Sequence, residues 1–559
     1  MDQDTAGPVR PSLIGGFRRS TELWREDPAI PLGAAAGLVV TGFLISCWSR
    51  LNYDVSWLMV GASRLLEGSP LYGEDFIDVN PPLAVYIMTP AAVLVQLTDV
   101  GAPLAVTIQM WSSISLVLVI CFRLLIRLHA SADLRPTLWW LFGLCFVVSW
   151  MPALFLGGEA VAYAQREDWI LLLILPFLFL TAIRMKDLSS GTGPSIAIGM
   201  ALGIALCIKP HYLLTWAGLE GLLLLRRRRL SSLLRPESLA VVGTGLAYGA
   251  WLLVVTPGYL TVALPLALSS YWAYQTPRAS LISLESLIAI AAALLSIRCT
   301  PPHSTARTLS LVFGVAAIGS SIAYLLGGTP WSYHALPFRS FIFLACLAPW
   351  IGRIPSETQT PLHPSKRLAH GTATFALVVT IAFVSPGDAG RILRAQGGLG
   401  SQGMSAQLAT WLQRSEEPRT FAVLSTSVPP AFPAASYAEA EWSLRFSCLW
   451  PLAAILRSRY GSPEDRARLS PARGLEIEAY LRESIVSDFS RRPPTWVFVP
   501  QAGPLQGLPP GRWDLLNFLR SDPQFEAIWS QYRPAGRLGS LRVFARGLTD
   551  QNISDDASR

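Results

Sequence analysis

The chain is short of charge. Of 559 residues only 15% are Asp, Glu, Lys or Arg, against about 25% in an ordinary soluble protein. With 51% hydrophobic residues and a mean hydropathy of +0.40, that shortage excludes a standard cytosolic enzyme. It also excludes intrinsic disorder, which needs low hydrophobicity and high charge. Cysteine spacing is equally uninformative for chemistry. Cys47, Cys121, Cys145, Cys207, Cys299, Cys346 and Cys448 show no metal-ligand or redox spacing, so neither a disulfide framework nor a zinc site follows. The chain has no P-loop, dinucleotide fingerprint, HExxH or nucleophile elbow. Nucleotide-driven transport and soluble nucleotide-sugar chemistry therefore have no support.

What the chain does have is apolar runs. A membrane-crossing helix needs roughly 20 apolar residues. Runs stand at 30–48, 82–97, 103–122, 138–157, 169–183, 194–208, 211–225, 238–257, 281–297, 308–326, 335–351 and 371–385. The first lacks an A-x-A cleavage pattern and reads as a retained anchor. The positive-inside bias fixes the count. If 82–97 lies at the outer surface, the inner segments hold nineteen Lys and Arg and the outer segments before residue 386 hold five: Arg50, Arg64, Arg166, Lys209 and Arg278. If 82–97 crosses, the Arg226–Arg229 run faces outward and the bias collapses. The expectation is eleven crossings, with residues 1–29 a cytoplasmic tail and 30–385 the membrane domain. The net charge of +8 then reports orientation, and the arginine run is a topological anchor rather than a nucleic-acid site.

After residue 385 the long apolar runs stop. Strand-like pieces at 420–425, 495–500 and 539–545 alternate with helix-like stretches near 404–414, 449–459, 475–490 and 512–520. Residues 386–559 are expected to form a small soluble α/β domain on the outer face, with loops at the Pro and Gly clusters 428–433 and 503–511.

The polar groups of the membrane half gather in outer loops. The first runs from Asn52-Tyr53-Asp54 through Arg64 to Glu74, Asp75, Asp78 and Asn80-Pro81-Pro82. Its 54–66 stretch, with Trp57, Leu58, Leu65 and Leu66, predicts a short helix lying along the membrane interface. Glu74, Asp75 and Asp78 are expected as solvated loop carboxylates. The second loop carries Tyr163 and Gln165-Arg166-Glu167-Asp168. Lys209-Pro210-His211 breaks an otherwise apolar stretch, where ionisable groups are costly and by default functional. The last is Gly327-Gly328-Thr329-Pro330-Trp331-Ser332-Tyr333-His334. Tyr271, Trp272 and Tyr274 are either interfacial belt residues or a stacking surface for sugar or lipid.

These motifs together resemble the GT-C fold over roughly residues 30–351. The carriers are an Asp just past the first membrane helix, "EGSPLYGEDF", "NPPLAVYI", Gln165-Arg166-Glu167-Asp168 and a Tyr-His-x-Leu-Pro segment at Tyr333. The likeness is to bacterial relatives of the dolichyl-phosphate-mannose–protein mannosyltransferases and to the lipid A aminoarabinose transferases. It implies a mainly α, polytopic GT-C helical domain with juxtamembrane helices, one of them 82–97. It also implies an inverting glycosyltransferase of the inner membrane, moving a sugar from a polyprenyl-phosphate carrier to a protein, lipid or polysaccharide acceptor.

That reaction needs a base for the acceptor hydroxyl and positive charge on the departing phosphate. Asp54 matches the family's base position; it would also serve as a helix cap facing water. Arg166, Lys209 and His211 suit the carrier phosphate, as do Tyr333 and His334, which can also face the sugar. Glu167 or Asp168 can assist the acceptor or hold a divalent cation, Mg or Mn, and the choice between them stays open. The Gln-Arg-Glu-Asp form departs from the DxD or DxE pattern of oligosaccharyltransferases, so metal dependence does not follow.

A transporter or flippase of lipid-linked sugars is the competing class, but it predicts half-repeats and charges at the midplane, and the ionisable groups cluster at one face instead. A glycan ligase is the third reading, set back by the C-terminal place of the long outer segment. The topology is checked by reporter fusions. A phosphatase that works only outside the cytoplasm is expected to be inactive after Arg229 and active after Val423; activity at both sites would overturn the charge assignment.

Overall fold

The computed structural model describes residues 27–129, 133–154, 156–157, 160–161, 163–282, 284–352, 403–415, 419–503 and 505–547. The apolar runs are helices. In chain order they are α1 (Ala29–Trp48), the loop helix α2 (Tyr53–Leu66), α3 (Thr89–Leu97), α4 (Ala102–His129) and α5 (Arg135–Cys145). Then come α6 (Arg166–Met185), α7 (Thr192–Ile208), α8 (Leu213–Arg227), α9 (Pro236–Val254), α10 (Leu284–Cys299), α11 (Thr305–Gly327) and α12 (Leu336–Ile351). Helix α5 runs on through a π turn, Phe146–Trp150, into Met151–Leu154. Among the described residues six helical stretches are long and apolar enough to cross a membrane: Ala29–Trp48, Ala102–His129, Arg166–Met185, Pro236–Val254, Thr305–Gly327 and Ser332–Ile351. The candidate run 371–385 lies outside the described residues.

Large apolar side chains stand open on the flanks of these helices. Leu44 and Trp48 on α1, Leu116 on α4, and Leu246 and Leu253 on α9 are between 54% and 71% exposed. Contiguous apolar surface of this kind is unstable in water and marks contact with lipid. The chain is a membrane protein. Helix α6 is the exception that shows where the core lies: nearly all of its twenty residues are buried, so it runs through the bundle and not around it. The run 82–97 breaks into two short pieces, Leu83–Tyr86 and Thr89–Leu97, neither long enough to span.

Residues 403–547 fold as an α/β unit. Its elements are α13 (Met404–Arg414), β1 (Thr420–Val423), α14 (Ala431–Ala438), β2 (Glu441–Trp442), α15 (Trp450–Tyr460) and α16 (Pro471–Arg491). They continue with β3 (Trp496–Pro500), α17 (Leu515–Arg520), α18 (Pro523–Trp529), β4 (Tyr532–Leu538) and β5 (Leu541–Arg546). The sheet order is β2-β1-β3-β5-β4, with β1 parallel to β2 and β3, and β5 antiparallel to β3 and β4. Phe421, Ala422, Val423, Val497, Phe498 and Val499 are all buried, as central parallel strands covered on both faces require. Edge strand β4 is mostly exposed and irregular between Pro534 and Gly536, which weakened its signal in the sequence, and α14 sits in a stretch whose prolines suggested loop.

This unit docks on the loop that follows α1. Ile77 N–H donates to Arg445 O at 2.7 Å in a parallel bridge that also pairs Ile77 with Phe446. Arg64, buried on α2, donates to the carbonyls of Asp75, Trp442 and Leu444. The Ser56 and Ser436 hydroxyls are 2.6 Å apart, and Leu51 N–H donates to Tyr437 Oη at 3.0 Å. Trp57 stacks on Phe76 with centroids 4.5 Å apart and meets Phe432 edge-on at 5.3 Å. The expected interfacial helix therefore exists, but its apolar side faces protein: Trp57 and Leu58 are buried, and α3 and α14 pack on it. The loop carboxylates are also corrected. Glu74 stays exposed, but Asp75 pairs with Arg491 and Arg492 at 3.0 Å each. Asp78 is buried, accepting from Trp57 Nε1 at 2.8 Å and from Asn80. Burial raises the Asp78 pKa above the usual carboxylate range, against the pull of Arg166 and Asn80.

Small residues let the bundle close. Helices α7 and α9 meet through Gly199 and Gly203, and a Cβ on Gly203 would stand 2.6 Å from Thr244 Cβ. Gly203→Val is expected to destabilise the protein by about 1–3 kcal/mol through overpacking. The measurement is thermal unfolding in detergent; an unchanged midpoint would show that the two helices are not held at this separation.

Candidate functional site

Helix starts converge at one end of the bundle. Asn52, in extended conformation, caps α2, its Oδ1 accepting Asp54 N–H at 2.9 Å. Gln165 caps α6 in a capping box: its backbone N–H donates to Asp168 Oδ2 at 3.0 Å. The two caps are joined, since Gln165 Nε2 donates to Asn52 Oδ1 and, at 3.3 Å, to Asp54 Oδ2. The 3-10 turns Pro210–Tyr212 and Ser332–Ala335 lead directly into α8 and α12. The positive ends of several helix dipoles thus lie together, which favours bound negative charge.

Within this ring, Asp54 Oδ2 accepts from Tyr333 Oη at 2.9 Å and lies 3.5 Å from Arg166 Nη2. Among the described residues no hydrogen bond reaches Asp54 Oδ1. The Asp54 side chain keeps 20% of its surface exposed, so it is fixed at one oxygen and open at the other. Glu167, fully buried, accepts from Lys209 Nζ, and His334 Nε2 stands 3.4 Å from the same oxygen. Thr329 Oγ1, 2.7 Å from His334 Nδ1, holds the imidazole from the other side. Burial pulls the Lys209 pKa down from its ordinary value, opposed by the Glu167 charge.

The arrangement carries unspent donors and acceptors. Arg166 is buried, yet its Nε has no hydrogen-bond partner among the described residues, and neither has Glu167 Oε2. A buried guanidinium with one long ion pair has capacity left for an incoming anion. An aromatic wall flanks the cluster: Trp331 meets His334 edge-on at 5.5 Å, Tyr271 lies 6.2 Å from Trp331, and Trp450 of the C-terminal unit lies 6.4 Å from Tyr271. Tyr274 Oη donates to Thr426 O at 2.8 Å, so Tyr271 and Tyr274 bind the α/β unit to the bundle. Beside Asn52 a groove of about 370 Å³, its mouth included, opens between α1 and α4, lined by Ser46, Met110, Trp111 and Tyr163.

Of the residues singled out in the sequence, Asp54, Arg166, Glu167, Lys209, Tyr333 and His334 come together. His211 stands exposed on the adjoining turn, within electrostatic reach of Lys209 and Glu167. Asp168 turns away into its own helix cap. Sequence reasoning gave no role to Asn52, Gln165 or Thr329, which orient the others. A polar residue just before an apolar helix was the available signal for Asn52. Among the described residues no three His, Cys, Asp or Glu side chains gather as metal ligands. Both carboxylates of the cluster already face a protein cation, which is a poor donor set for a divalent ion.

The fold and this end of the bundle define a polytopic membrane protein with a polar, partly unsatisfied site under a small α/β unit. Crystal structures of the Archaeoglobus fulgidus oligosaccharyltransferase resemble the chain at 12% identity. The one tethered with an acceptor peptide containing the NVT sequon aligns with a TM-score of 0.45, over 85% of this chain and 70% of that one. The complex with Zn and sulfate aligns at 0.39, over 83% and 68%. No family model and no curated protein matches the chain.

The cap geometry is open to test. Asp168→Ala is expected to cost about 1 kcal/mol of stability, while Asp168→Asn, whose amide oxygen still accepts from Gln165, stays near wild type in thermal unfolding. Equal losses in both variants would contradict the cap.

Proposed function

We propose that the protein is a glycosyltransferase of GT-C type, acting at the outer face of the inner membrane. It would transfer a sugar from a polyprenyl-phosphate carrier to an acceptor hydroxyl, with inversion at C1. The observation that carries this reading is the pairing of a half-open carboxylate with buried, incompletely used cations at a lipid-facing bundle's polar end. Asp54 Oδ2 is held by Tyr333, Gln165 and Arg166, which leaves Oδ1 to take the acceptor's proton as the hydroxyl attacks C1. The bond from C1 to the phosphate oxygen breaks, and the carrier leaves as a phosphate anion. Arg166 and Lys209 supply its positive surroundings, helped by the converging helix N-termini. Glu167 holds Lys209 in place, so this cation is available without wandering.

Asp54 and Glu167 each already face a protein cation, Arg166 and Lys209, so side chains would meet the charge of the departing phosphate. The α/β unit, which rests on α2 and on Tyr271, would roof the site or select the acceptor.

Asp54→Asn is expected to abolish transfer in isolated membranes, by about 10²-fold or more as for loss of a general base, while expression and unfolding midpoint stay intact. Near-normal turnover would remove Asp54 from the mechanism. Chelation is expected to leave the rate unchanged; a rate lost with chelator and restored by Mg would replace the arginine–lysine account with a metal-assisted one.

A further inference from the structure

The far end of the bundle holds a second ionic cluster. Helix α6 starts at the candidate site with Arg166 and, twenty residues on, ends about 30 Å away. There Arg184 grips Glu237 with two hydrogen bonds of 2.8 and 2.9 Å. Arg227 donates to Arg184 O at 3.0 Å and lies 3.3 Å from Asp187. Arg235 Nη2 binds Glu220 and, at 3.0 Å, Ser238 Oγ, which itself donates to Glu220 at 2.8 Å. The acids here are Glu220, Glu237 and Asp187. The bases are Arg184, Lys186, Arg226, Arg227, Arg228, Arg229 and Arg235, so positive charge is in clear surplus.

Part of that positive charge is buried and unspent. Arg235 is only 8% exposed, yet its Nη1 has no hydrogen-bond partner among the described residues, and its Nε sits 3.6 Å from Glu237, too far to bond. Ser232 Oγ, also buried, and Arg227 Nε are without partners too. Around these donors the surface is apolar and open. Leu225 at the end of α8, Leu230 and Leu234 in the turn, and Leu239 on the first turn of α9 are between 52% and 77% exposed. Arg228 adopts a left-handed conformation (φ 52°) that ends α8, and both it and Arg229 are exposed.

We infer that the α8–α9 turn and the adjoining ends of α6 and α9 form a binding site for the phosphate of an anionic phospholipid. The unspent Arg235 and Ser232 donors and the free arginines meet the headgroup, and the exposed leucines meet its acyl chains. Lipid is the occupant, and not a free phosphate, because open leucines flank the charge at the start of α9, a helix long and apolar enough to cross a membrane. This site is separate from the candidate catalytic cluster and does not rest on the proposed activity.

Native mass spectrometry of the purified full chain tests it, with phosphatidylglycerol and phosphatidylcholine offered at equal concentration. Phosphatidylglycerol is expected to be retained preferentially. The double variant Arg228→Gln with Arg229→Gln, both at exposed positions, is expected to weaken that retention roughly tenfold or more and to leave phosphatidylcholine unaffected. Arg235→Gln is expected to do the same; if it does not fold, the exposed pair decides. Equal retention of the two lipids, or retention unchanged in the double variant, overturns the proposal. So does complete displacement of phosphatidylglycerol by inorganic phosphate, which would make the site one for a free anion.

Discussion

The hydrogen bond between the caps of two helices organises the rest of the structure. Asn52 closes the N-terminus of α2 and Gln165 closes that of α6, and Gln165 Nε2 donates to Asn52 Oδ1. Helix starts have unsatisfied N–H groups and a positive dipole end, so two of them rarely sit side by side without negative charge nearby. Here Asp54 and Glu167 supply it from the first turns of the same two helices. Arg166 and Lys209 then compensate the acids. The cluster is a consequence of bringing the two helix starts together, and its incomplete pairing leaves room for a further anion.

Burial sets the stakes of that arrangement. Glu167 is fully buried and α6 is sheathed on nearly all sides, so an unpaired charge there would cost several kcal/mol. Lys209 and His334 come from two different helix hairpins to meet it. The same rule governs the far end of α6, where Arg184 takes Glu237 as partner. One buried helix thus carries an ionic cluster at each end, and its full length of about 30 Å is that of a bilayer core.

The α/β unit is held by groups that serve no chemistry of their own. Arg64 spends its guanidinium on three backbone carbonyls, two of them in the C-terminal unit. Asp75 takes Arg491 and Arg492, and Asp488 takes Arg445. Each contact lies on α2 or its loop, or on the segment β2–α16 that faces them. The position of Asp54, at the start of α2, is therefore tied to the folding of a unit almost four hundred residues away in the chain.

The sequence alone determined the apolar helices and three of the five strands of the α/β unit, because these rest on local periodicity and on the plain cost of placing charge in lipid. It also marked Asp54, Arg166, Glu167, Lys209, Tyr333 and His334, since ionisable groups next to apolar runs are conspicuous. Tertiary structure alone decided which of them meet. It left His211 exposed, buried Asp78 and turned the expected interfacial helix into a protein-covered one. Which members of the cluster meet depends on contacts between residues more than a hundred positions apart, such as Gln165 with Asn52 and Tyr333 with Asp54. No window of local sequence contains both partners of such a contact.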